Sequence, residues 1–99
     1  MILHTVSFTT KHDPGSEEEK KFLEAGIALG ELPMVKNFQC YRQVSRKNDF
    51  EFGFSMEFES QADYDAYNGH PNHVEFVETR WKPEVDDFLE LDYVQYDFP

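Results

Sequence analysis

Residues 50–59, Phe-Glu-Phe-Gly-Phe-Ser-Met-Glu-Phe-Glu, are the stretch that decides the fold of this 99-residue chain. Phenylalanine or methionine occupies every second position, and glutamate, glycine or serine occupies the positions between them. Successive side chains of a β-strand point to opposite faces, so this period of two predicts a strand with one buried face and one polar face.

Three further strands are predicted around this one, over residues 2–9, 35–44 and 85–98, from weaker alternation of the same kind. In the first of them His4 shares the more apolar face with Val6. In the last, leucine and tyrosine positions alternate with acidic and aromatic positions, so both of its faces carry apolar side chains.

The segments between the strands read as helices. Ser16 with Glu19 forms a capping box, which marks a helix start, and glycine and proline residues end that helix before the second strand. Residues 60–68 and 72–81 are predicted as two shorter helical segments, separated by a break at Pro71.

The order strand, helix, strand, strand, helix, strand predicts an α+β fold, the ferredoxin-like split βαβ arrangement, as a single domain over residues 1–99. The helices would cover one face of its four-stranded antiparallel sheet. The other face is too apolar for open water, which predicts a homodimer that pairs two sheets into a shared barrel. The apolar side chains on that face are Leu3, Tyr41, Leu89, Leu91 and Tyr93.

Composition excludes several classes of partner. The formal charge of −11 repels nucleic acid and anionic membranes, and no apolar run approaches the length of a membrane span. The first residues show no signal-peptide pattern, and Cys40 is the only cysteine, so a cytoplasmic location is expected.

The candidate site centres on residues 67–77, Tyr-Asn-Gly-His-Pro-Asn-His-Val-Glu-Phe-Val. As a neutral imidazole His73 could accept a proton, and the phenol of Tyr67 could polarise a carbonyl oxygen. Asp92 is predicted to orient the His73 imidazole, and His4 is predicted to face the same pocket. Both are predicted binding residues. An aromatic cavity around this polar cluster would suit a small molecule. The predicted walls are Phe8, Phe22, Ile27, Phe54, Phe76 and Trp81.

Other interpretations compete with this one, namely structural roles for the histidines and a metal site. His70 precedes a proline at the helix break and could simply bond to backbone, and His73 could pack on the core. A metal site could use both histidines with Glu75, but the chain has no Cys-x-x-Cys or His-Glu-x-x-His pattern, so no metal and no cofactor is predicted.

These segments resemble the stress-responsive A/B barrel domain family, often called Dabb, a group of dimeric α/β barrels. The resemblance is carried by residues 2–8, by Phe58-Glu59-Ser60, by the Tyr-x-x-His-Pro-x-His-x-x-Phe pattern that begins at Tyr67, and by the closing Asp92-Tyr93. It implies a ferredoxin-like protomer that dimerises through its sheet. Most members of the family have no assigned activity.

Two classes of function follow from the resemblance. The first is a small-molecule-binding protein with a pocket for an apolar or phenolic ligand. The second is a cofactor-independent enzyme. A plant branch of the family that resembles olivetolic acid cyclase closes a linear polyketide by an aldol reaction. It uses a histidine and a tyrosine, which correspond to His73 and Tyr67. A monooxygenase-like oxidation and a purely structural dimerisation module remain open beside them.

Overall fold

The chain folds in the predicted order of strands and helices, and the computed structural model describes residues 1–99. No helix combines the length and the apolar character that crossing a bilayer requires. In chain order the elements are β1 Ile2–Thr10, α1 Glu17–Ile27, a 3-10 segment Ala28–Glu31, β2 Lys36–Arg42, β3 Phe52–Phe58, α2 Gln61–Gly69, α3 Pro71–Phe76, a π-helical segment Val77–Trp81, α4 Lys82–Glu84 and β4 Val85–Tyr93.

The four strands form one antiparallel sheet in the order β2-β3-β1-β4. Because β1 lies inside the sheet, His4 pairs with Met56 of β3 on one side and with Asp92 of β4 on the other. The strands β2 and β4 are the two edges. The predicted ferredoxin-like α+β fold is therefore confirmed.

The core lies between the sheet and the helices, and the alternation in β3 supplies much of it. Phe52, Phe54, Met56 and Phe58 are all buried, with Phe58 fully excluded from solvent. Phe8 and Phe22 are the other large side chains that are fully buried. Burial of each such ring stabilises the fold by about 1.5–3 kcal/mol.

The opposite face of the sheet is uncovered in the single chain. Leu89 and Tyr93 are about half exposed, at 50% and 51%, and their neighbours on this face are similarly open. The full set is Leu3, Tyr41, Leu89, Leu91 and Tyr93, the residues that the alternation placed there. Exposed apolar side chains grouped on one face of a sheet are typical of an interaction surface.

Three boundaries differ from the sequence prediction. The strand β4 ends at Tyr93 rather than Phe98, because Tyr93 pairs with Leu3 at the start of β1 and no neighbouring strand continues beyond it. The strand β2 is shorter than predicted, and its register is shifted near Asn37, whose φ is 50°. The last helical segment runs on to Glu84, since Pro83 is tolerated in the first turn of α4.

Candidate functional site

A cavity of about 440 Å³ opens between the sheet and the helices α2 and α3. Ten of its fifteen lining residues are hydrophobic, so its walls are mainly apolar. The lining residues are His4, Val6, Leu29, Phe38, Phe54, Met56, Tyr67, Asn68, His73, Phe76, Val77, Trp81, Lys82, Phe88 and Glu90. Binding sites for small molecules are commonly cavities of this size with a few polar groups.

The helix break brings Tyr67 and His73 together. The backbone N–H of His70 donates to the carbonyl of Tyr67 at 3.1 Å, which closes α2, and the His70 ring accepts from the N–H of Asn72 at 3.1 Å, which caps α3. The two helices therefore meet with the Tyr67 and His73 ring centroids 4.2 Å apart. His70 has the backbone role, and His73 lines the cavity.

The contacts of His73 define its tautomer. Its Nδ1 lies 3.3 Å from the carbonyl oxygen of Asn68, and a carbonyl can only accept, so Nδ1 carries the proton. Burial lowers the pKa of His73, and the nearby His4 adds to this, while the bond to Asn68 and the charge of Glu90 oppose it. The imidazole is therefore neutral near pH 7, and the lone pair of Nε2 is available as a base.

The phenol of Tyr67 is held in its protonated form. The residue is 3% exposed, and its hydroxyl makes no hydrogen bond to another protein group. Burial, with a smaller contribution from the charge of Glu90, raises the pKa of Tyr67 well above its usual range. Its hydroxyl is therefore a hydrogen-bond donor that is free for a molecule in the cavity.

A second polar cluster lies at the sheet end of the cavity. His4 is 5% exposed, and its Nδ1 donates to Oδ1 of Asp92 at 2.5 Å. The Tyr64 hydroxyl donates to Oδ2 of Asp92 at 2.8 Å, and Nε2 of His4 lies 3.5 Å from Oε1 of Glu90. Burial, followed by the bond to Asp92, raises the pKa of Tyr64. These bonds fix the His4 ring with Nε2 toward the cavity and Glu90.

This arrangement corrects the prediction for Asp92. Its carboxylate orients His4 across the β1–β4 pairing, and it does not contact His73. The physical reason is register, because His4 and Asp92 are directly opposed on neighbouring strands, whereas His73 lies on the helix layer. The imidazole of His73 is oriented by a backbone carbonyl instead.

The predicted walls divide into three groups. Phe54, Phe76 and Trp81 line the cavity as predicted. Phe8 and Phe22 are fully buried and pack behind it, against one another and against Trp81. Ile27 was wrongly predicted, since its side chain is 45% exposed at the end of α1, beyond the stripe that faces the core.

Three contributors were missed, namely Tyr64, Glu90 and the π-helical segment. Tyr64 lies one helical turn before Tyr67, and Glu90 lies two residues before Asp92 on the same strand face, so the face spacing could have found both. In the π-helical segment the N–H of Lys82 bonds to the carbonyl of Val77. No sequence signal identified that bulge, which is a feature often seen at functional sites.

Metal ligands do not gather here. Nowhere in the chain do three or more histidine, cysteine, aspartate or glutamate side chains come together in a way that could hold a metal ion. The chemistry that these residues can perform is proton transfer and hydrogen bonding. To a bound molecule the cavity offers the neutral His73, the Tyr67 hydroxyl and the Glu90 carboxylate. Its other polar lining residues are His4, Asn68 and Lys82.

Comparison with known proteins places this chain in a family. A family model described as "Stress responsive A/B Barrel Domain" matches residues 2–95. A stress-response A/B barrel domain-containing protein from Arabidopsis thaliana is 28% identical over 96 residues, which are 95% of this chain and 36% of that protein. The chain thus spans about a third of the length of that relative.

Solved structures agree with the family assignment. The crystal structure of a Dabb family protein with a ferredoxin-like fold from Mesorhizobium loti superposes with a TM-score of 0.94, at 54% identity over 97% of both chains. Two structures under 25% identity share the fold. They are a dimeric ferredoxin-like protein of unknown function from Thermobifida fusca (TM-score 0.78, 17% identity, 95% of this chain and 90% of that one) and hydroxynitrile lyase from Passiflora edulis (TM-score 0.84, 19% identity, 99% and 96%). On this basis, the chain belongs to the stress-responsive A/B barrel domain family.

Proposed function

We propose that this protein is a homodimer that binds a small apolar or phenolic molecule in the cavity between sheet and helices. One observation carries the proposal. Inside mostly apolar walls, the Tyr67 hydroxyl and Nε2 of His73 are left without protein partners. Polar atoms that line an open apolar cavity without a protein partner can hydrogen-bond to a molecule bound there.

The polar atoms also indicate what kind of ligand fits. Tyr67 donates a hydrogen bond, while His73 and the carboxylate of Glu90 accept one. The rings of His4 and Tyr67 are 6.4 Å apart, so these groups converge on one end of the cavity. A ligand with a carbonyl and a hydroxyl on an aromatic body would satisfy both the donor and the acceptors, with its ring against Phe76.

Trp81 provides the test, because it is the only tryptophan and lines the cavity. Its fluorescence is titrated with 4-hydroxyacetophenone and, as the matched control, with 4-ethyltoluene, which lacks both polar groups. We expect saturable quenching by the ketone and binding at least about tenfold weaker for the hydrocarbon, since one to two hydrogen bonds are lost. Equal affinities for the two probes would contradict the role given to the polar end.

The homodimer is proposed from the uncovered face of the sheet. A four-stranded sheet cannot close into a barrel, whereas two such sheets supply the roughly eight strands that a small closed barrel needs. Pairing would also cover Leu89, Leu91 and Tyr93. The dimeric protein from Thermobifida fusca has the same fold and supports this assembly. Light scattering that gives the mass of a single chain at micromolar concentration would rule it out.

A second candidate function is cofactor-independent acid–base catalysis at a carbon acid. The proposed location is a reducing compartment such as the cytoplasm. The neutral His73 supports it, because Nε2 can remove a proton from the carbon next to a carbonyl. The electron pair then moves onto the carbonyl oxygen, where the Tyr67 hydroxyl stabilises the enolate. In an aldol cyclisation the enolate carbon then bonds to a second carbonyl carbon of the same molecule, and the oxygen of that carbonyl takes the π electrons and the proton held by His73. A monooxygenase-like oxidation would need dioxygen as co-reactant.

Hydrogen–deuterium exchange tests this candidate without knowledge of the natural substrate. With 4-hydroxyphenylacetone in D₂O, proton NMR would record the loss of signal from the protons on the carbons next to the carbonyl. Catalysed exchange that disappears in His73→Gln but persists in His70→Gln is expected.

A hydroxynitrile is assayed in parallel, because the Passiflora edulis enzyme of the same fold is a hydroxynitrile lyase. Exchange no faster than in buffer alone would leave binding as the function.

A further inference from the structure

A site of spontaneous covalent modification lies at the end of α2, on the rim of the cavity. We propose that Asn68 converts to aspartate or isoaspartate through attack by the backbone nitrogen of Gly69, and that this conversion makes His73 a stronger proton acceptor. Neither a bound ligand nor the homodimer is needed for this chemistry, so it stands apart from the function proposed above.

The sequence places the attacking group next to its target at one position only. Asparagine is among the thermally labile residues of proteins. Asn68-Gly69 is the only Asn-Gly pair in the chain, and the remaining asparagines precede larger residues. Those asparagines are Asn37, Asn48 and Asn72. Because glycine has no side chain, its backbone nitrogen can approach the preceding side chain without steric hindrance.

The reaction consumes only water. The Gly69 nitrogen forms a bond to Cγ of Asn68 and loses its proton to solvent, while the side-chain amide takes up a proton and leaves as ammonia. The product of this step is a five-membered succinimide ring. Water then opens the ring at one of its two carbonyl carbons. Opening at Cγ gives aspartate, and opening at the former main-chain carbonyl gives isoaspartate.

Local structure leaves both groups accessible to this reaction. Asn68 and Gly69 are exposed, and they are the last two residues of the nine-residue helix α2. The hydrogen bond that joins Asn68 to a side chain uses its backbone carbonyl, so its side-chain amide is free. The ends of helices open at little cost in free energy. Opening of this last turn frees the Gly69 nitrogen from helical geometry and allows ring closure.

The space around Gly69 supplies a clean control variant. A methyl group at this position would meet nothing within 4 Å. The φ angle of Gly69 is also negative, since Gly15 is the glycine with a positive φ. Alanine therefore fits here without strain, whereas its methyl group hinders the attack on Asn68. Gly69→Ala changes the chemistry of the pair and leaves the structure of the helix end as it is.

The conversion alters the hydrogen bond that orients His73. The carbonyl oxygen of Asn68 accepts from Nδ1 of His73 at 3.3 Å, and both residues line the cavity. In isoaspartate the main chain runs through Cγ, and this same carbonyl becomes a free carboxylate. The oxygen beside Nδ1 then carries negative charge. The additional methylene in the main chain also lengthens the connection from α2 to α3.

A carboxylate at this place changes the charge balance around the imidazole. The side chains that face His73 are Tyr67 from α2, His4 from β1 and Glu90 from β4. Burial and His4 favour the neutral ring, whereas Glu90 favours the charged one. A second carboxylate acts in the same direction as Glu90, so His73 takes up a proton more readily. The modified protein thus loses part of the free base that the cavity offers near neutral pH.

Peptide mapping by mass spectrometry tests the modification itself. The wild type and Gly69→Ala are incubated in mildly alkaline buffer and digested at intervals. We expect the mass gain of an amide-to-acid exchange at residue 68, and labelling by an isoaspartyl methyltransferase should identify the isoaspartate. The gain should be about tenfold slower in Gly69→Ala, because the methyl group raises the barrier to ring closure. Asn37, Asn48 and Asn72 serve as internal controls in the same maps.

Titration of His73 tests its link to the modification. The modified protein carries one more negative charge and is separated from the unmodified protein by anion exchange. NMR signals of the ring should give a pKa of His73 that is higher by about one unit in the isoaspartate form. Asn68→Asp places a carboxylate on the side chain without changing the main chain, so it should give a smaller rise. Trp81 fluorescence identical to that of the unmodified protein checks that the fold is retained.

Two kinds of outcome would overturn the proposal. No mass gain at residue 68, or equal rates in the wild type and Gly69→Ala, would remove the modification site. A gain that leaves the titration of His73 unchanged, or a separated form that no longer folds, would remove its link to His73.

Discussion

Nδ1 of His4 lies 2.5 Å from Oδ1 of Asp92, and the two residues directly oppose each other in the register of β1 and β4. The bond joins an inner strand to an edge strand at the sheet end of the cavity. It also leaves Nε2 of His4 beside Glu90, so the polar lining of the cavity depends on this cross-strand pair.

Asp92→Asn should therefore weaken the fold. The amide retains the shape of the carboxylate but removes the charge that strengthens the bonds from His4 and Tyr64, so we expect a loss of about 1–3 kcal/mol in the free energy of unfolding. Urea unfolding measures it. Asp49→Asn in an exposed loop serves as the control and should change little. Equal effects of the two substitutions would mean that the His4–Asp92 bond contributes nothing to stability.

Two neighbouring tyrosines should separate stability from binding. Tyr64→Phe removes the hydroxyl that bonds to Asp92, so it should lower the free energy of unfolding by about 1 kcal/mol. Tyr67→Phe removes a hydroxyl with no protein partner, so its stability should stay close to that of the wild type. The binding of 4-hydroxyacetophenone, followed by Trp81 fluorescence, should weaken by about tenfold in Tyr67→Phe. A Tyr67→Phe variant that binds normally would remove Tyr67 from the site.

Two glycines provide a test of the cavity wall. A methyl group at Gly26 would lie 2.5 Å from the Phe54 ring, which lines the cavity, whereas a methyl group at Gly69 would meet nothing within 4 Å. Gly26→Ala should therefore push Phe54 toward the cavity, at a cost of about 1–3 kcal/mol, and should weaken ligand binding. Gly69→Ala should change neither quantity by much. Normal binding by Gly26→Ala would show that the ligand lies away from Phe54.

The pH dependence of stability should carry a contribution from His73. Burial lowers its pKa, so below about pH 6.5 the unfolded chain binds a proton that the folded chain resists. The stability associated with the neutral imidazole is thus present above that pH and is lost as the pH falls. Unfolding curves recorded from about pH 8 to about pH 5 should decline less steeply for His73→Gln than for the wild type. Parallel curves would indicate an unshifted pKa.

Local patterns predicted the fold well because they act through backbone geometry. The alternation from Phe52 to Phe58 matches a strand whose every second residue is buried, and the Ser16 side chain caps α1 as the capping box requires. The end of β4 was not predictable from its own sequence. Alternation continues through the tail, but a strand also needs a neighbour, and β1 begins at Ile2.

The site was predicted in part, for a related reason. Tyr67 and His73 are close in sequence and flank one helix break, so their proximity follows from local structure. The partner of Asp92 depends on the register between β1 and β4. That register pairs Asp92 with His4, 88 positions earlier in the chain, and no local pattern specifies it. Spacing could have placed Tyr64 on the same helix face as Tyr67, but its bond to Asp92 depends on that register and could not be predicted.

NMR mapping of ligand binding tests the central claim most directly. Side-chain and backbone signals of the protein are followed during titration with 4-hydroxyacetophenone. We predict saturable shifts centred on Tyr67, His73, Phe76 and Trp81, with the His73 ring signals moving most. Shifts confined to the open face of the sheet, or shifts that saturate at the wild-type ligand concentration in both Gly26→Ala and Tyr67→Phe, would contradict a ligand site in this cavity.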